Sequence, residues 1–396
     1  MAYKRFIIPR EIVHGWGALK ALKYIDTRKT FIVTDSLMVK LGHLSKVQAI
    51  LQEKGTPTQF FDQVEADPSL ATVKKCLVQV MSFAPDLIIG LGGGSPIDTA
   101  KAVWAFYEHP DLAQMPWQDM LKALPRRRLR QKARFVAIPT TSGTGSEVSA
   151  GAVISNRDID PPDKRILFTW QFPPDVAIVD AELAATMPPG VTADTGYDAL
   201  VHAFEGYLSG DYGDIVAMLA VTAIKNILEW LPRAVADGSN ITAREKMHLA
   251  ATMAMAACSN AAGSLNHDMA HQLGSFYHIA HGRAIAIALP YVLAWMYDFN
   301  AGREVSLAQE LGITAKNNRD AVRQLITAVS DLRKKAGLPG SIRELGIDEP
   351  TFMSRLDKLV DYTLSSGLSP QRPTREQVRE IYLQAWSGAV PKLSSK

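Results

Sequence analysis

The sequence predicts an α/β N-terminal half, residues 1–186, followed by an all-helical C-terminal half, residues 187–396. Three observations predict it. Four continuous apolar runs of strand length, at 31–34, 87–90, 135–138 and 176–179, read as strands buried on both faces of a parallel sheet. Each run is followed by small, polar or acidic residues, the chemistry that binds ligands beyond the carboxyl ends of such strands. After about residue 186 strand-like runs vanish. Helix-period segments near 194–208, 214–231, 243–262, 264–279, 318–336 and 374–386 carry most of the remaining chain.

At 396 residues the chain can bury large cores without disulfides or a structural metal. A composition 47% apolar and 21% charged excludes a disordered chain. A net charge of +3 predicts neither a nucleic-acid surface nor an acidic tail. The two cysteines, Cys76 and Cys258, are too few for a disulfide framework or zinc finger and read as small core residues. The opening Met1–Pro9 has a basic flank but an apolar run of only three residues, short of a secretory signal. No window approaches a membrane span of about 18 apolar residues. The nearest, 249–262, follows a capping box, Thr242-Ala-Arg-Glu245, and reads as a buried helix. No membrane or nucleic-acid partner and a cytoplasmic location are therefore expected.

Met187-Pro188-Pro189-Gly190 is the natural hinge between the halves. The 318–336 segment places Leu325, Ile326, Val329 and Leu332 on one face, with Gly337 and Pro339 as stop signals. The basic cluster Arg126-Arg127-Arg128-Leu129-Arg130 reads as a solvated loop between a helix and a strand.

Gly92-Gly93-Gly94-Ser95-Pro96-Ile97-Asp98 leaves a predicted strand and opens a helix. The glycines let backbone N–H groups approach a ligand without a Cβ clash. Ser95 reads as the N-cap, Pro96 as the first helical residue and Asp98 as completing the cap. Such a helix start attracts phosphate. The stretch Thr140 to Ser146 also leaves a strand, and packs five hydroxyl residues and two glycines into seven positions. Turn chemistry needs only one or two of these. Together the loops point to a ligand with two phosphates and several hydroxyls. Asp35, at the end of an earlier strand, suits a ribose 2′-OH and would repel a 2′-phosphate, favouring NAD over NADP; a helix N-cap fits its spacing equally well. The spacing is not the usual G-x-G-x-x-G.

The helical half holds a sharper signal. Four of the nine histidines, His267, His271, His278 and His281, fall within fifteen residues. Upstream, Asp198 and His202 stand at i, i+4 on one helix face, and His267 and His271 repeat that spacing. One carboxylate with two or three imidazoles suits Zn²⁺ or Fe²⁺ with a position left for a substrate oxygen. Spacing alone leaves the choice of histidines open. A nucleotide cradle in one half and a Lewis acid in the other suggest hydride exchange between a nicotinamide and an alcohol or carbonyl carbon, at a cleft between them.

Four segments, Gly92 to Lys101, Pro139 to Glu147, Gly196 to Tyr207 and His267 to Gly282, resemble the iron-dependent (group III) alcohol dehydrogenases, in order and over nearly the whole chain. Tyr107-Glu-His-Pro110 and the basic stretch before Phe135 most resemble the alcohol-dehydrogenase half of bifunctional aldehyde–alcohol dehydrogenases. The resemblance implies a Rossmann-like, dehydroquinate-synthase-like domain before the helical one, and metal ligands at Asp198, His202, His267 and His281. It places His271 near nicotinamide and substrate, a candidate for proton relay or substrate contact, and gives His267 and His271 the catalytic positions. His278 is as readily structural. Cofactor contacts fall on Asp35, Gly93, Gly94, Ser95, Asp98, Thr140, Thr141, Ser142, Thr144 and Lys164, with Leu183 near the dinucleotide. The family often forms dimers or longer homo-oligomers. Two departures stand out: Ile285 lies in a segment that commonly holds Asn, and Asp268 replaces a small residue.

The expected activity is NAD(H)-dependent interconversion of small primary alcohols and aldehydes with Fe²⁺ or Zn²⁺. The same fold also serves polyol, 1,3-propanediol and hydroxybutyrate dehydrogenases and a dehydroquinate-synthase-like cyclase, and a filament or scaffold subunit with a vestigial site is the non-catalytic alternative. A metal-dependent phosphohydrolase would leave the 140–146 loop unexplained.

Overall fold

The computed structural model describes residues 4–158 and 163–393; Met1–Tyr3 of the opening segment lie outside them. The described residues form two compact units, one of Ile7–Thr186 and one of Met187 onward together with the residues up to Phe6.

The first unit carries β1 (Glu11–His14), β2 (Thr30–Val33), α1 (Ser36–Lys40), α2 (His43–Glu53), β3 (Thr58–Phe61), α3 (Leu70–Phe83), β4 (Leu87–Gly92), α4 (Gly94–Glu108), α5 (Trp117–Ala123), β5 (Arg134–Pro139), β6 (Gly151–Asn156), β7 (Asp163–Phe168), β8 (Val176–Val179) and α6 (Ala181–Ala184). Six strands form one parallel sheet in the order β1-β8-β5-β4-β2-β3, and β6 and β7 form an antiparallel pair. The four strands expected from apolar runs are β2, β4, β5 and β8. Strand alternation sends Phe31, Val33 and Ile88 to one face, against Val73, Val80, Val103 and Trp104 of α3 and α4. Ile32, Leu87 and Ile89 face the other way, against Leu44, Val47 and Leu51 of α2. The edge strands β1 and β3 lack continuous runs because neither is buried throughout, and the charged start of β7 hides it in the same way.

Two expectations need correction, one at a strand end and one in the basic loop. Asp180, after β8, has its carboxylate engaged within the protein: it accepts from the N–H groups of Gly17, Leu19 and Glu182 and so anchors the turn after β1. Arg130 is not a solvated loop residue. Its guanidinium is largely buried, pairing with Asp175 at 2.8 Å and donating to the Gln171 carbonyl. Arg127 of the same cluster pairs with Asp111.

The second unit is helical: α7 (Pro189–Leu208), α8 (Asp214–Ala236), α9 (Ile241–Ser259), α10 (Leu265–Tyr277), α11 (His281–Glu310), α12 (Asn318–Lys335), α13 (Glu349–Ser366) and α14 (Arg375–Ser387). No strand occurs among its described residues. Helix α11 escaped the period count because Ala284 to Met296 are buried on all sides, which leaves no polar face to mark a repeat. Its backbone departs from helical geometry at Asn300. Helix α9 begins before the expected capping box, since the Asn240 side chain accepts from the Ala243 N–H and Thr242 lies within the first turn. The most apolar helix is α8 rather than the 249–262 stretch. It has the length and composition of a membrane span, yet buries Val216, Ala220, Ile224, Ile227 and Leu231 in the core and turns Lys225 and Glu229 outward.

Candidate functional site

In the α/β unit the sheet order reverses between β2 and β4, because the chain leaves β2 for β3 on one side and β4 for β5 on the other. Ligands of such sheets bind at this switch point, beyond the carboxyl ends of the strands. Asp35 follows β2 there. Its Oδ1 accepts from the Leu37 and Met38 N–H groups at 2.9 and 3.0 Å, so it caps α1. Gly93, not Ser95, is the N-cap of α4, and it supplies no side-chain cap; Ser95 lies in the first turn. The first N–H groups of the helix thus lack the usual internal acceptor. A Cβ on Gly93 would sit 3.3 Å from Thr141 Cγ2, and one on Gly94 would sit 3.0 Å from Thr144 Cγ2. Glycine therefore lets the start of α4 close against the second loop, which the Thr140 N–H to Gly92 carbonyl bond, 2.9 Å, also joins. Thr140 and Ser142 are buried beside it, and the buried Thr141 Oγ1 has no hydrogen-bond partner. An uncapped helix start, close backbone packing at Gly93 and Gly94 and an orphaned hydroxyl fit the diphosphate of a dinucleotide.

Three other expected contacts sit differently. Asp98 does not complete the cap: its carboxylate accepts from Ser146 Oγ at 2.9 Å and the Val153 N–H at 2.8 Å, away from the helix start. Lys164 pairs with Asp67 at 2.9 Å. The Leu183 side chain is packed in the core with Ile138 and Ile178, so only its backbone is left to approach a ligand.

The helical unit assembles its cluster from three helices. One turn apart on α7, Asp198 and His202 share a face; α10 contributes His267 and His271; His281 opens α11. A Cβ on Gly282 would lie 2.2 Å from the Asp194 carbonyl oxygen, so only glycine lets α11 start against α7 one turn before Asp198. Asp198 Oδ1 is buried and has no hydrogen-bond partner. Around it stand His202 Nε2 at 3.7 Å, His267 Nε2 at 3.7 Å and His281 Nε2 at 3.6 Å. Those distances are too long for hydrogen bonds. A tetrahedral cation with bonds of about 2.0–2.2 Å holds its ligand atoms roughly 3.3–3.6 Å apart. Asp198, His267 and His281 offer donor atoms all within 4.8 Å of one another, and His202 joins them through Asp198. The donor set and its spacing fit a divalent transition metal.

Burial alone would raise the Asp198 carboxyl, but the surrounding imidazoles of His202, His267 and His281 hold it well below the usual carboxylate range. Burial works against a proton on His267, yet Glu205 and Asp198 raise it to about 10. Glu205, buried on α7, is the residue the sequence reading missed. Its Oε1 accepts from His267 Nδ1 at 2.7 Å and from the Ser264 N–H and hydroxyl at 3.0 and 2.7 Å. It thereby holds the imidazole with Nε2 toward Asp198, the outer-shell role a carboxylate plays behind a metal-binding histidine. The signal was present: Glu205 follows Asp198 at i+7, on the same helix face.

His271 lies at the edge of the cluster, its ring centroid 5.3 Å from that of His281 and 6.0 Å from that of His267. His278 is exposed, adopts a left-handed conformation (φ 55°) and ends α10, donating its N–H to the Gly274 carbonyl. Ile285 is fully buried, and its carbonyl accepts from Asn266 Nδ2. Asp268 accepts from the N–H groups of Leu368 and Ser369, tying α10 to the segment after α13.

A parallel sheet with a ligand-type switch point and a carboxylate–imidazole cluster whose spacing fits a divalent metal match the class of alcohol-dehydrogenase oxidoreductases. The chain belongs to the iron-containing alcohol dehydrogenase family. The family model "Iron-containing alcohol dehydrogenase" matches residues 9–181, and "Fe-containing alcohol dehydrogenase family, C-terminal" matches 192–386. An NADPH-dependent butanol dehydrogenase of Clostridium saccharobutylicum is 38% identical over 382 residues, covering 96% of this chain and 97% of the relative. The bifunctional aldehyde-alcohol dehydrogenase AdhE of Escherichia coli (strain K12) is 35% identical over 96% of this chain, which spans 46% of that protein. Among solved structures, the iron-containing alcohol dehydrogenase of Thermococcus thioreducens superposes with a TM-score of 0.86 at 33% identity, covering 97% of this chain and 100% of that one. The sulfoacetaldehyde reductase of Bifidobacterium kashiwanohense, solved with NAD⁺, gives 0.83 at 26% identity, covering 98% and 100%.

Proposed function

We propose that the protein is an NAD(H)- and divalent-metal-dependent alcohol dehydrogenase that interconverts small primary alcohols and aldehydes. The observation that carries this reading is the orphaned Asp198 Oδ1 with three imidazole nitrogens standing 3.6–3.7 Å away. Asp198, His202, His267 and His281 would hold Fe²⁺ or Zn²⁺, and that cation supplies Lewis-acid polarisation of the substrate oxygen. Glu205 keeps His267 oriented, and His271, beside His267 and His281, is placed to touch substrate or relay its proton. Once the His267 proton is displaced on metal binding, three neutral imidazoles and one carboxylate would leave a divalent site with one residual positive charge, which suits a substrate oxygen that gives up its proton.

The uncapped start of α4, with Gly93, Gly94 and Ser95, and the hydroxyls of Thr140, Thr141, Ser142 and Thr144 would bind the dinucleotide. The Asp35 carboxylate at the end of β2 favours a free ribose 2′-OH, so cofactor choice is where this chain would part from the NADPH-dependent butanol dehydrogenase.

The test is NADH formation at 340 nm across a panel of primary alcohols, with chelated protein and with protein reconstituted with Fe²⁺ or Zn²⁺. Alcohol-dependent NADH formation that is lost on chelation and restored by either metal is expected. Absence of activity with both metals and every alcohol would overturn the reading.

A further inference from the structure

Two charged side chains in the first half of α4, Asp98 and Lys101, are almost wholly withdrawn from water, and neither touches the helix start. Lys101 is fully buried. Its ammonium donates to the Ser149 carbonyl at 2.8 Å, Ser149 Oγ at 2.9 Å and the Gly151 carbonyl at 2.9 Å, one acceptor for each of its three protons. Asp98, one turn nearer the helix start on the same face, accepts from Ser146 Oγ and the Val153 N–H. All these partners lie between Ser146 and Val153, the stretch that links the Thr140–Ser146 loop to β6. Burying a charge is costly unless it is fully paired, so this arrangement persists only while helix and stretch stay in register.

We propose that Lys101, together with Asp98, is a positioning residue for the dinucleotide, holding the Thr140–Ser146 loop at the right height against the start of α4. The geometry leaves the loop little tolerance. Thr141 and Thr144 pack so close to Gly93 and Gly94 that an added Cβ would stand 3.3 and 3.0 Å from their methyl groups, so a small shift of the 146–151 stretch would open the gap between the two halves of the cradle. All three protons of the Lys101 ammonium are taken up within the protein, and its charge stands against the buried carboxylates of Asp98 and Glu147. The expected action is therefore through loop geometry. The inference rests on the dinucleotide reading of this cradle.

The experiment compares the holoenzyme with Lys101→Met, which keeps length and loses all three bonds, and with Ser149→Ala, which removes one acceptor. NADH binding is read by fluorescence, KM and kcat by turnover, and metal content by elemental analysis. Dinucleotide Kd and KM should rise about tenfold or more in Lys101→Met and about two- to fivefold in Ser149→Ala. The kcat at saturating dinucleotide, the KM for alcohol and the metal content should stay within about twofold, because the metal ligands come only from α7, α10 and α11. An unchanged Kd in Lys101→Met overturns the proposal, as does an unchanged Kd in Ser149→Ala if Lys101→Met does not fold. Loss of metal together with NADH binding marks a general packing defect and also overturns it. If the unaltered protein binds no dinucleotide, the reading of the cradle falls first and the positioning role with it.

Discussion

Both units bury carboxylates, but Asp98 and Asp180 of one and Asp198 of the other are used in opposite ways. In the α/β unit Asp98 has donors at 2.8 and 2.9 Å, and Asp180 has three backbone N–H groups. Each is satisfied from within and serves to position a loop. In the helical unit Asp198 presents Oδ1 to three imidazole nitrogens that stop at 3.6–3.7 Å. The gap is too wide for a hydrogen bond and about right for a shared cation. Burial alone does not separate a structural charge from a binding one; the distance at which its neighbours stop does.

The largest test of that contrast is His267→Ala. It should lower turnover by about a thousandfold or more and strip the metal, while NADH binding stays near that of the unaltered protein. Elemental analysis beside a fluorescence titration checks this, and parallel loss of NADH binding would break the division between the units. A smaller effect is expected for Glu205→Gln, which weakens the support behind His267 Nδ1 but leaves every ligand in place. Metal affinity, measured against a competing chelator, should fall about 10- to 100-fold. In the α/β unit, Asp35→Asn keeps a side chain that can cap α1 and removes only the charge. The ratio of kcat/KM with NADPH to that with NADH should rise about tenfold, and a ratio unchanged on substitution would dismiss Asp35 as the discriminator.

The units should also part company, more gently, in their response to pH. Asp86 in the α/β unit is opposed by burial but accepts from the Lys29 and Arg28 N–H groups, the Arg28 guanidinium and the Thr27 hydroxyl, and is held down to about 2. Its contribution to stability is present above the ordinary carboxylate value near 3.8 and is lost as pH falls toward 2. Glu304 in the helical unit is pushed up to about 8 by burial and by the neighbouring charge of Asp298, and neither of its oxygens has a hydrogen-bond partner. The folded state therefore holds this proton more tightly than the unfolded chain, so stability is full below about 4.5 and drains away as pH rises to about 8. Urea unfolding from pH 5 to 8 should show a falling midpoint for the unaltered protein and a flatter one for Glu304→Met. Identical slopes would mean Glu304 does not titrate as its surroundings require.

Much of this was legible along the chain. The four central strands announce themselves because burial on both faces demands unbroken apolar runs, and α12 does so because a one-sided core contact imposes the helical period. The i, i+4 spacing of Asp198 and His202 is likewise a local fact. Edge strands β1 and β3 and the central helix α11 were not legible, for opposite reasons: too little burial to make a run, and too much to leave a period. Ser95 was misread as a cap because sequence cannot tell a hydroxyl that closes a helix from one inside its first turn.

What the sequence by itself determined is therefore the order of elements, the two glycine- and hydroxyl-rich strand ends, and the residue types able to hold a metal. Only the tertiary structure decided that His281 meets Asp198, through the close approach of α11 at Gly282, and that Glu205 stands behind His267. It alone also turned Asp98 and Lys101 away from the helix start and into the stretch beyond the loop. The reason is physical. Propensity and periodicity act over a few residues, whereas the direction of a buried charge is set by partners that packing brings from tens of residues away.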